Sequence, residues 1–191
     1  MTAPKREEER CARFRALYEA NYDAILGYAL RRTQHADALD VVAETFTVAW
    51  RRLERVPGGD EARLWLYGTA RRVFANHQRA ARRRERLGGR IADEAARSPE
   101  AVPERDQGTV AAAFARLRPE DRELLALVAW EGLEARDVAR VIGCSRNAAR
   151  IRLHRARRRF ADELDREGDS MKWRRSSGHV AVTALGTEET T

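Results

Sequence analysis

The stretch GCSRNAARIRLHRARRRF, residues 143–160, combines a dense run of arginines with regularly spaced apolar residues. The apolar positions recur every three or four residues, which places them on one face of an α-helix. The arginines occupy the rest of the helix surface. The pattern therefore predicts a helix that packs on one side and exposes cationic charge on the other, where an anionic partner would bind. The apolar residues are Ala149, Leu153, Ala156 and Phe160.

A short helix and a tight turn precede this segment. EARDVARVIG, residues 134–143, has helical apolar spacing and ends at Gly143, a residue type that often terminates helices. Ser145 can cap the arginine-rich helix. This order is typical of a helix-turn-helix, whose second helix enters the major groove of DNA. Near its amino terminus we expect Arg146, Asn147 and Arg150 to read bases. The DNA-contacting set predicted here is Ser145, Arg146, Asn147, Arg150, Arg152, His154 and Arg155, with Arg157, Arg158 and Arg159 as phosphate contacts or solvated charge.

The overall charge agrees with a polyanionic partner. The 191 residues carry 37 Lys and Arg against 30 Asp and Glu, a net charge of +7, and only Lys5 and Lys172 are lysines. Arginine binds phosphate and guanine edges in a planar, bidentate manner that lysine cannot match. High genomic G+C content would also favour arginine codons, so the choice of arginine alone does not decide the partner.

Several classes of protein are not expected from the sequence. No run of about 18 apolar residues is present, and the amino terminus MTAPKREEER lacks the apolar core of a secretion signal, so a cytoplasmic location is expected. Cys11 and Cys144 are far apart, and the four histidines are scattered. We therefore expect no disulfide, no metal site and no cofactor.

Proline and glycine divide the chain into two helical blocks, which predicts an all-α fold of two small domains. Residues 11–86 form an N-terminal helical bundle and residues 108–164 a helix-turn-helix domain. Residues 87–107, with two glycines and two prolines, are predicted to be a flexible linker. Residues 165–191, rich in Gly, Ser and Thr, are predicted to be a disordered tail.

The first block contains three helical apolar stripes and a second cationic run. TARRVFANHQRAARRRER, residues 69–86, lies at the end of the third helix, and Trp65 and Asn76 are near it or within it. Aromatic and amide groups among cations are typical of proteins that capture unstacked bases. Phe74 lies on the apolar stripe, so a core position for it is the stronger expectation.

In this order the two blocks resemble the extracytoplasmic-function (ECF) sigma factors of bacterial RNA polymerase, over residues 14–164. FRALYEANYDAILGYALRR, residues 14–32, is similar to the opening helix of the family. DVVAETFTVAWRRL, residues 40–53, resembles the segment that docks on the polymerase clamp helices. ARLWLYGTARRVFANHQRAARRR, residues 62–84, resembles the helix that opens and reads the minus-ten element. Residues 117–160 resemble the domain that reads the minus-thirty-five element.

The resemblance implies two further sets of contact residues. The polymerase-binding residues are Asp40, Val41, Glu44 and Thr45, and the residues near minus-ten DNA are Trp65, Arg71, Arg72, Asn76, Arg79 and Arg83. Leu39 and Ala43 depart from the family pattern, which commonly has an acidic residue and a glutamine there. The implied partners are core RNA polymerase (its clamp helices and flap), promoter DNA and, as is common in the family, an anti-sigma factor.

The implied function is a promoter-specificity subunit without a catalytic centre, which directs core polymerase to specific promoters and aids strand opening. The alternative is a stand-alone helix-turn-helix transcription regulator, but the first block lacks the alternating strand and helix pattern of a receiver domain. A nuclease or deaminase would need clustered carboxylates or a zinc site. The acidic pair Asp93 and Glu94, which follows the first cationic run, lies in the linker.

Overall fold

The chain folds into helices in the order that the sequence predicts, which confirms the all-α fold class. The structure is a computed structural model that describes residues 3–87 and 107–183. The predicted linker falls outside the described residues except at its two ends, Leu87 and Gln107, which are helical. The helices are α1 (Ala3–Leu30), α2 (His35–Arg51), a 3-10 turn (Leu53–Arg55), α3 (Asp60–Leu87), α4 (Gln107–Arg116), α5 (Pro119–Ala129), α6 (Ala135–Ile142) and α7 (Arg146–Thr183).

The last helix is longer than predicted. We expected helical structure to stop near Leu164, whereas α7 continues to Thr183. The residues from 165 to that point are thus helical in this structure, and the tail as a separate segment stays a prediction. The physical reason is that no proline follows Pro119, so glycine and serine lower helix propensity after residue 165 without blocking the backbone hydrogen bonds. Residues 184–191 lie outside the described part.

Contacts divide the structure into two compact units. The first contains the chain up to the end of α3 together with Leu133–Arg146, which includes α6. The second contains α4, α5 and the part of α7 that begins at Asn147. The predicted domain 108–164 groups α6 with the second unit, whereas here α6 packs with the first. The exact domain limits stay predictions.

The first unit is a bundle with a largely aromatic seam. Tyr18 lies 4.6 Å from Phe46, and Phe14 lies 5.1 Å from Trp50, measured between ring centroids, so α1 packs along α2. Two arginines fasten the amino half of α1: Arg10 donates to the carbonyl oxygen of Trp50 at 3.1 Å, and Arg13 donates to that of Val56 at 2.8 Å. The most deeply buried large side chains of this unit include Ile25, Tyr28, Val41, Leu53 and Leu66.

In the same unit, α6 packs against the middle of α3. A Cβ atom added to Gly68 would lie 3.2 Å from the carbonyl oxygen of Val141, which indicates a close approach of the two helices. An ion pair between Arg140 and Glu61, 3.1 Å apart, lies at the edge of this contact. As a result, the five consecutive residues 66–70 of α3 are all buried. A helix is buried on every side only where neighbours cover its whole circumference.

The second unit is built around the predicted apolar stripe of α7. Ala149, Leu153 and Ala156 are 0 to 3 % exposed, so the predicted packing face is confirmed. Phe160 is partly buried and meets Phe114 of α4 edge-on at 6.1 Å. The remaining core of this unit comes from α4 and α5, with Ala113, Leu117, Leu124 and Leu127.

Candidate nucleic-acid interface

The turn before α7 has the geometry that its sequence predicts. Gly143 adopts φ +78°, a left-handed conformation that glycine accepts without steric cost. The backbone N–H groups of Gly143 and Cys144 both donate to the carbonyl oxygen of Ala139 at 2.9 Å, which closes α6. Ser145 directly precedes the first residue of α7, the N-cap position. The first turn of α7 therefore begins with Arg146 and Asn147, as predicted.

The predicted DNA-contacting residues of this segment all lie on the exposed surface. Because α7 buries only one narrow stripe, the remaining circumference is available to a large ligand. No ion pair joins Arg150, Arg152 or Arg155 to an acidic residue within the described part of the chain. The N–H donors of these guanidinium groups are therefore not used by internal ion pairs and can bind a ligand. The exposed residues of the predicted set are Ser145, Arg146, Asn147, Arg150, Arg152, His154 and Arg155.

Arg159 has a different environment from these arginines. Its Nη1 atom lies 2.9 and 3.1 Å from the two carboxylate oxygens of Asp121, a residue of α5 that is 3 % exposed. The Nε atom of Arg118 lies 3.0 Å from the same carboxylate. Arg159 thus connects α7 to α5, an ion pair that was not expected from the sequence; its contact with phosphate stays a prediction. From the sequence, Asp121 was recognised only as an acidic residue that is favourable at a helix amino terminus. Its pairing with Arg159 was not predicted, because no local pattern relates residues that are 38 positions apart.

The cationic run of α3 begins where the helix leaves the core. Trp65 and Arg71, on either side of the buried residues 66–70, are half-buried. Beyond them the helix exposes one side, on which Arg79 donates to the side-chain oxygen of Asn76 at 2.7 Å. This bond holds the amide and the guanidinium together at the surface. The exposed members of the predicted minus-ten set are Arg72, Asn76, Arg79 and Arg83.

The residues predicted to bind polymerase separate into two pairs. Asp40 and Glu44 are exposed on α2, whereas Val41 and Thr45 are 1 and 0 % exposed. The hydroxyl of Thr45 donates to the carbonyl oxygen of Val41 at 2.7 Å, so its polar group is satisfied inside the bundle. In this structure only the exposed pair is available at the surface; the roles of all four residues stay predictions.

The exposed side of α2 is both acidic and apolar. Leu39, 40 % exposed, and Ala43 lie beside Asp40 and Glu44, at the positions that depart from the family pattern. Glu44 also accepts a hydrogen bond from His77 of α3, with 2.7 Å between Nε2 and Oε2. This contact links the predicted polymerase-binding side of α2 to the helix that carries the minus-ten set, and the sequence pattern gave no sign of it.

Metal sites and membrane-spanning helices are absent from the described residues. Within residues 3–87 and 107–183, no three His, Cys, Asp or Glu side chains come close enough to hold a metal ion. None of the helices there has the length and apolar character needed to cross a membrane.

Two family models match this chain. Residues 17–84 match the family Sigma-70 region 2, and residues 107–160 match the family Sigma-70, region 4. The chain is 32 % identical over 154 residues to the ECF RNA polymerase sigma factor SigL of Mycobacterium tuberculosis, an alignment that covers 76 % of this chain and 85 % of that protein.

Two solved structures resemble the fold. The sigma factor RpoE of Bartonella quintana, in complex with the anti-sigma factor NepR, has a TM-score of 0.56 at 23 % identity, covering 84 % of this chain and 97 % of that one. CnrH, in complex with the cytosolic domain of CnrY, has a TM-score of 0.54 at 25 % identity, covering 80 % and 87 %.

Region 2 followed by region 4, each with an exposed cationic helix, defines a protein of the sigma-70 class. Within that class the chain belongs to the ECF RNA polymerase sigma factors, since SigL shares about a third of its residues with this chain over most of both lengths.

Proposed function

We propose that this chain binds core RNA polymerase, directs it to a restricted set of promoters and helps to open the DNA there. The observation that carries the proposal is the pair of cationic helices, α3 and α7, one in each matched sigma-70 region. A protein with only one reading helix would contact one element; two such helices on one chain suit two neighbouring elements.

In this proposal α7 reads the minus-thirty-five element as duplex. Arg146, Asn147 and Arg150, close to the start of the helix, contact base edges in the major groove. Arg152 and Arg155 contact phosphates and supply a salt-dependent share of the affinity. Ser145 closes the amino end of the helix, and His154 lies on the same exposed surface.

The helix α3 acts on the minus-ten element as single strand. Trp65 supplies a ring on which an unstacked base can lie, while Asn76 and the arginines around it hold the strand. Stacking on aromatic side chains contributes about 1 to 3 kcal/mol per base, which offsets unpairing costs of a few kcal/mol. Binding energy alone thus opens the strands, and no catalytic group is required.

The exposed side of α2 docks on the polymerase clamp. Asp40 and Glu44 supply the charge and Leu39 the apolar contact, while Val41 and Thr45 hold α2 in place from the core. A second docking surface for the polymerase flap is the apolar patch of α4 and α5. There Val110 and Trp130 are 45 and 42 % exposed, and Phe114 supports the Trp130 ring at 5.4 Å.

The proposal includes a cellular location and a regulatory partner. The protein works in the cytoplasm, where polymerase and promoter DNA are found. The likeness to RpoE, whose structure contains the anti-sigma factor NepR, supports an anti-sigma partner for this chain as well. Such a partner would compete for the surfaces that bind polymerase and DNA.

The test of the function is run-off transcription with purified core RNA polymerase on genomic fragments. We expect the chain to confer initiation at a small number of start sites that core enzyme alone does not use. A stand-alone regulator would bind fragments without conferring initiation, and that result would contradict the proposal.

The docking surface is tested by Glu44→Arg, which reverses a charge on the exposed side of α2. We expect core polymerase to retain at least tenfold less of this variant in co-purification, and we expect the helicity measured by circular dichroism to be unchanged. If the acidic side of α2 docks on cationic groups of the clamp, the new arginine would lie close to like charges, which costs several kcal/mol at an interface.

Two control variants make this result specific. Glu19→Arg reverses an exposed charge on α1 and should assemble normally. His77→Ala removes the same hydrogen bond but keeps the Glu44 carboxylate. If His77→Ala weakens assembly as much as Glu44→Arg does, the carboxylate is not a direct contact.

A further inference from the structure

Ile151 is a large aliphatic side chain exposed in the middle of the cationic surface of α7. It is 44 % exposed, while the apolar stripe of the same helix is almost fully buried. Its sequence neighbours Arg150 and Arg152 are exposed as well. One exposed isoleucine on a protein surface needs no explanation. Its position on the helix is what makes this one informative.

Each residue of an α-helix is rotated by about 100° from the previous one. Ile151 lies two residues from both Ala149 and Leu153, which are 0 and 3 % exposed, so it lies about 160° to 200° around the helix from them. It therefore occupies the centre of the outward side, about one turn from Asn147 and one turn from Arg155, both exposed.

The chemistry of the major groove supplies a natural partner for this side chain. Most groups on the base edges there are hydrogen-bond donors or acceptors, and the apolar group is the C5 methyl of thymine. Arginines on both sides hold the helix against the phosphates, so a side chain at the centre of the outward side points to the groove floor.

We propose that Ile151 packs against the C5 methyl group of a thymine in the duplex that α7 reads, and so determines the base preference at that position. This inference rests on the proposed function of α7. It adds a specificity-determining residue outside the arginine and asparagine set, and it names the feature of the DNA that this residue recognises.

The experiment begins with the full-length chain, alone and assembled with core RNA polymerase. A pool of random-sequence duplexes is used to select the preferred minus-thirty-five site. Each thymine of that site is then replaced, one at a time, by deoxyuridine, which removes only the methyl group. We expect one replacement to weaken binding about fourfold, the ratio that corresponds to about 0.8 kcal/mol for one buried methyl-sized group.

Three variants assign the effect to Ile151. Ile151→Ser should bind the thymine and uracil duplexes equally, whereas Ile151→Val, which keeps a branched aliphatic side chain, should retain most of the discrimination. Leu30→Ser removes a similarly exposed aliphatic side chain from the end of α1, a position with no proposed contact, and should leave the fourfold ratio unchanged. A purely structural role for Ile151 would change affinity for both duplexes alike.

Two results would overturn the inference while leaving the function intact: binding that no thymine-to-uracil replacement weakens, or a ratio that persists in Ile151→Ser. A chain that selects no duplex even with core polymerase would instead contradict the DNA-reading role of α7 itself, and the inference with it.

Discussion

The two arginine-rich helices of this chain, α3 and α7, bury their surfaces in opposite ways. Residues 66–70 of α3 are buried at every position, whereas α7 buries a narrow stripe of small and aliphatic residues. Most cations of α3 therefore lie in its later turns, from Arg71 onward, with Arg63 ahead of the enclosed part, while those of α7 surround most of the helix near its start. Similar composition thus produces two different binding elements.

The difference has a consequence for how each helix can act on DNA. A helix with one packed side, like α7 over residues 146–158, can lie in a groove because its outward half is accessible there. The helix α3 is enclosed only at residues 66–70 and is accessible on either side of them, which suits the capture of a flexible strand. Four experiments test this difference between the two helices.

The largest effect is expected from Leu66→Ala in the fully surrounded part of α3. Leu66 is 0 % exposed, and truncation of such a side chain costs about 2 to 5 kcal/mol because the cavity cannot collapse. Urea unfolding followed by circular dichroism measures the change. Leu39→Ala, at a 40 % exposed position of α2, is the control and should cost less than about 0.5 kcal/mol. Equal costs for the two variants would show that α3 is not enclosed.

The attachment of α7 is tested by Asp121→Ala. Removing this buried carboxylate leaves Arg159 and Arg118 without their partner, and we expect a loss of about 1 to 3 kcal/mol in the free energy of unfolding. Asp162→Ala, at an exposed position of α7, should be nearly neutral. If the two variants are equally stable, α7 is held by its apolar stripe alone.

Two different roles are expected for arginines of α7: Arg146 reads a base and Arg159 attaches the helix to α5. Comparing Arg146→Ala with Arg159→Ala tests this difference. The first should lose about 1 to 3 kcal/mol of binding to the cognate duplex and relax the base preference there. The second should lower stability and leave the base preference unchanged, because Arg159 is bound to Asp121. Binding titrations on the cognate duplex and on single-base variants measure both. A changed preference in Arg159→Ala would move that residue into the reading surface.

The smallest effect is expected from single exposed arginines, Arg155→Ala on α7 and Arg72→Ala on α3. If each contacts one phosphate, each should reduce the slope of log affinity against log salt by about one on a promoter fork that carries both elements. Arg15→Ala, exposed on α1, should leave the slope unchanged. If Arg155→Ala reduces this slope and Arg72→Ala does not, Arg72 of α3 does not contact a DNA phosphate.

The sequence predicted the helical elements well because their signals are local. Apolar spacing, proline at the start of α5 and glycine at the end of α6 each act within one or two turns, so they do not depend on the rest of the fold. The same reasoning placed the predicted DNA contacts of α7 on the surface. It also predicted the buried stripe of that helix, position by position.

The sequence was less informative where the burial or the pairing of a residue depends on a second helix. Val41 and Thr45 lie next to the obvious stripe of α2, and whether such flanking positions are buried depends on how far the neighbouring helices wrap around. The pairing of Glu44 with His77 joins residues 33 positions apart, and nothing in either local pattern indicates it.

Residue types and their short-range spacing were enough to predict most of the helices, their apolar sides and the positions of the arginines, because these properties are local. Which cations are available depends on the packing of the folded chain. That packing enclosed the middle of α3, bound Arg159 to Asp121 and left Ile151 exposed among arginines. Burial and ion pairing depend on side chains that are distant along the chain and adjacent in space.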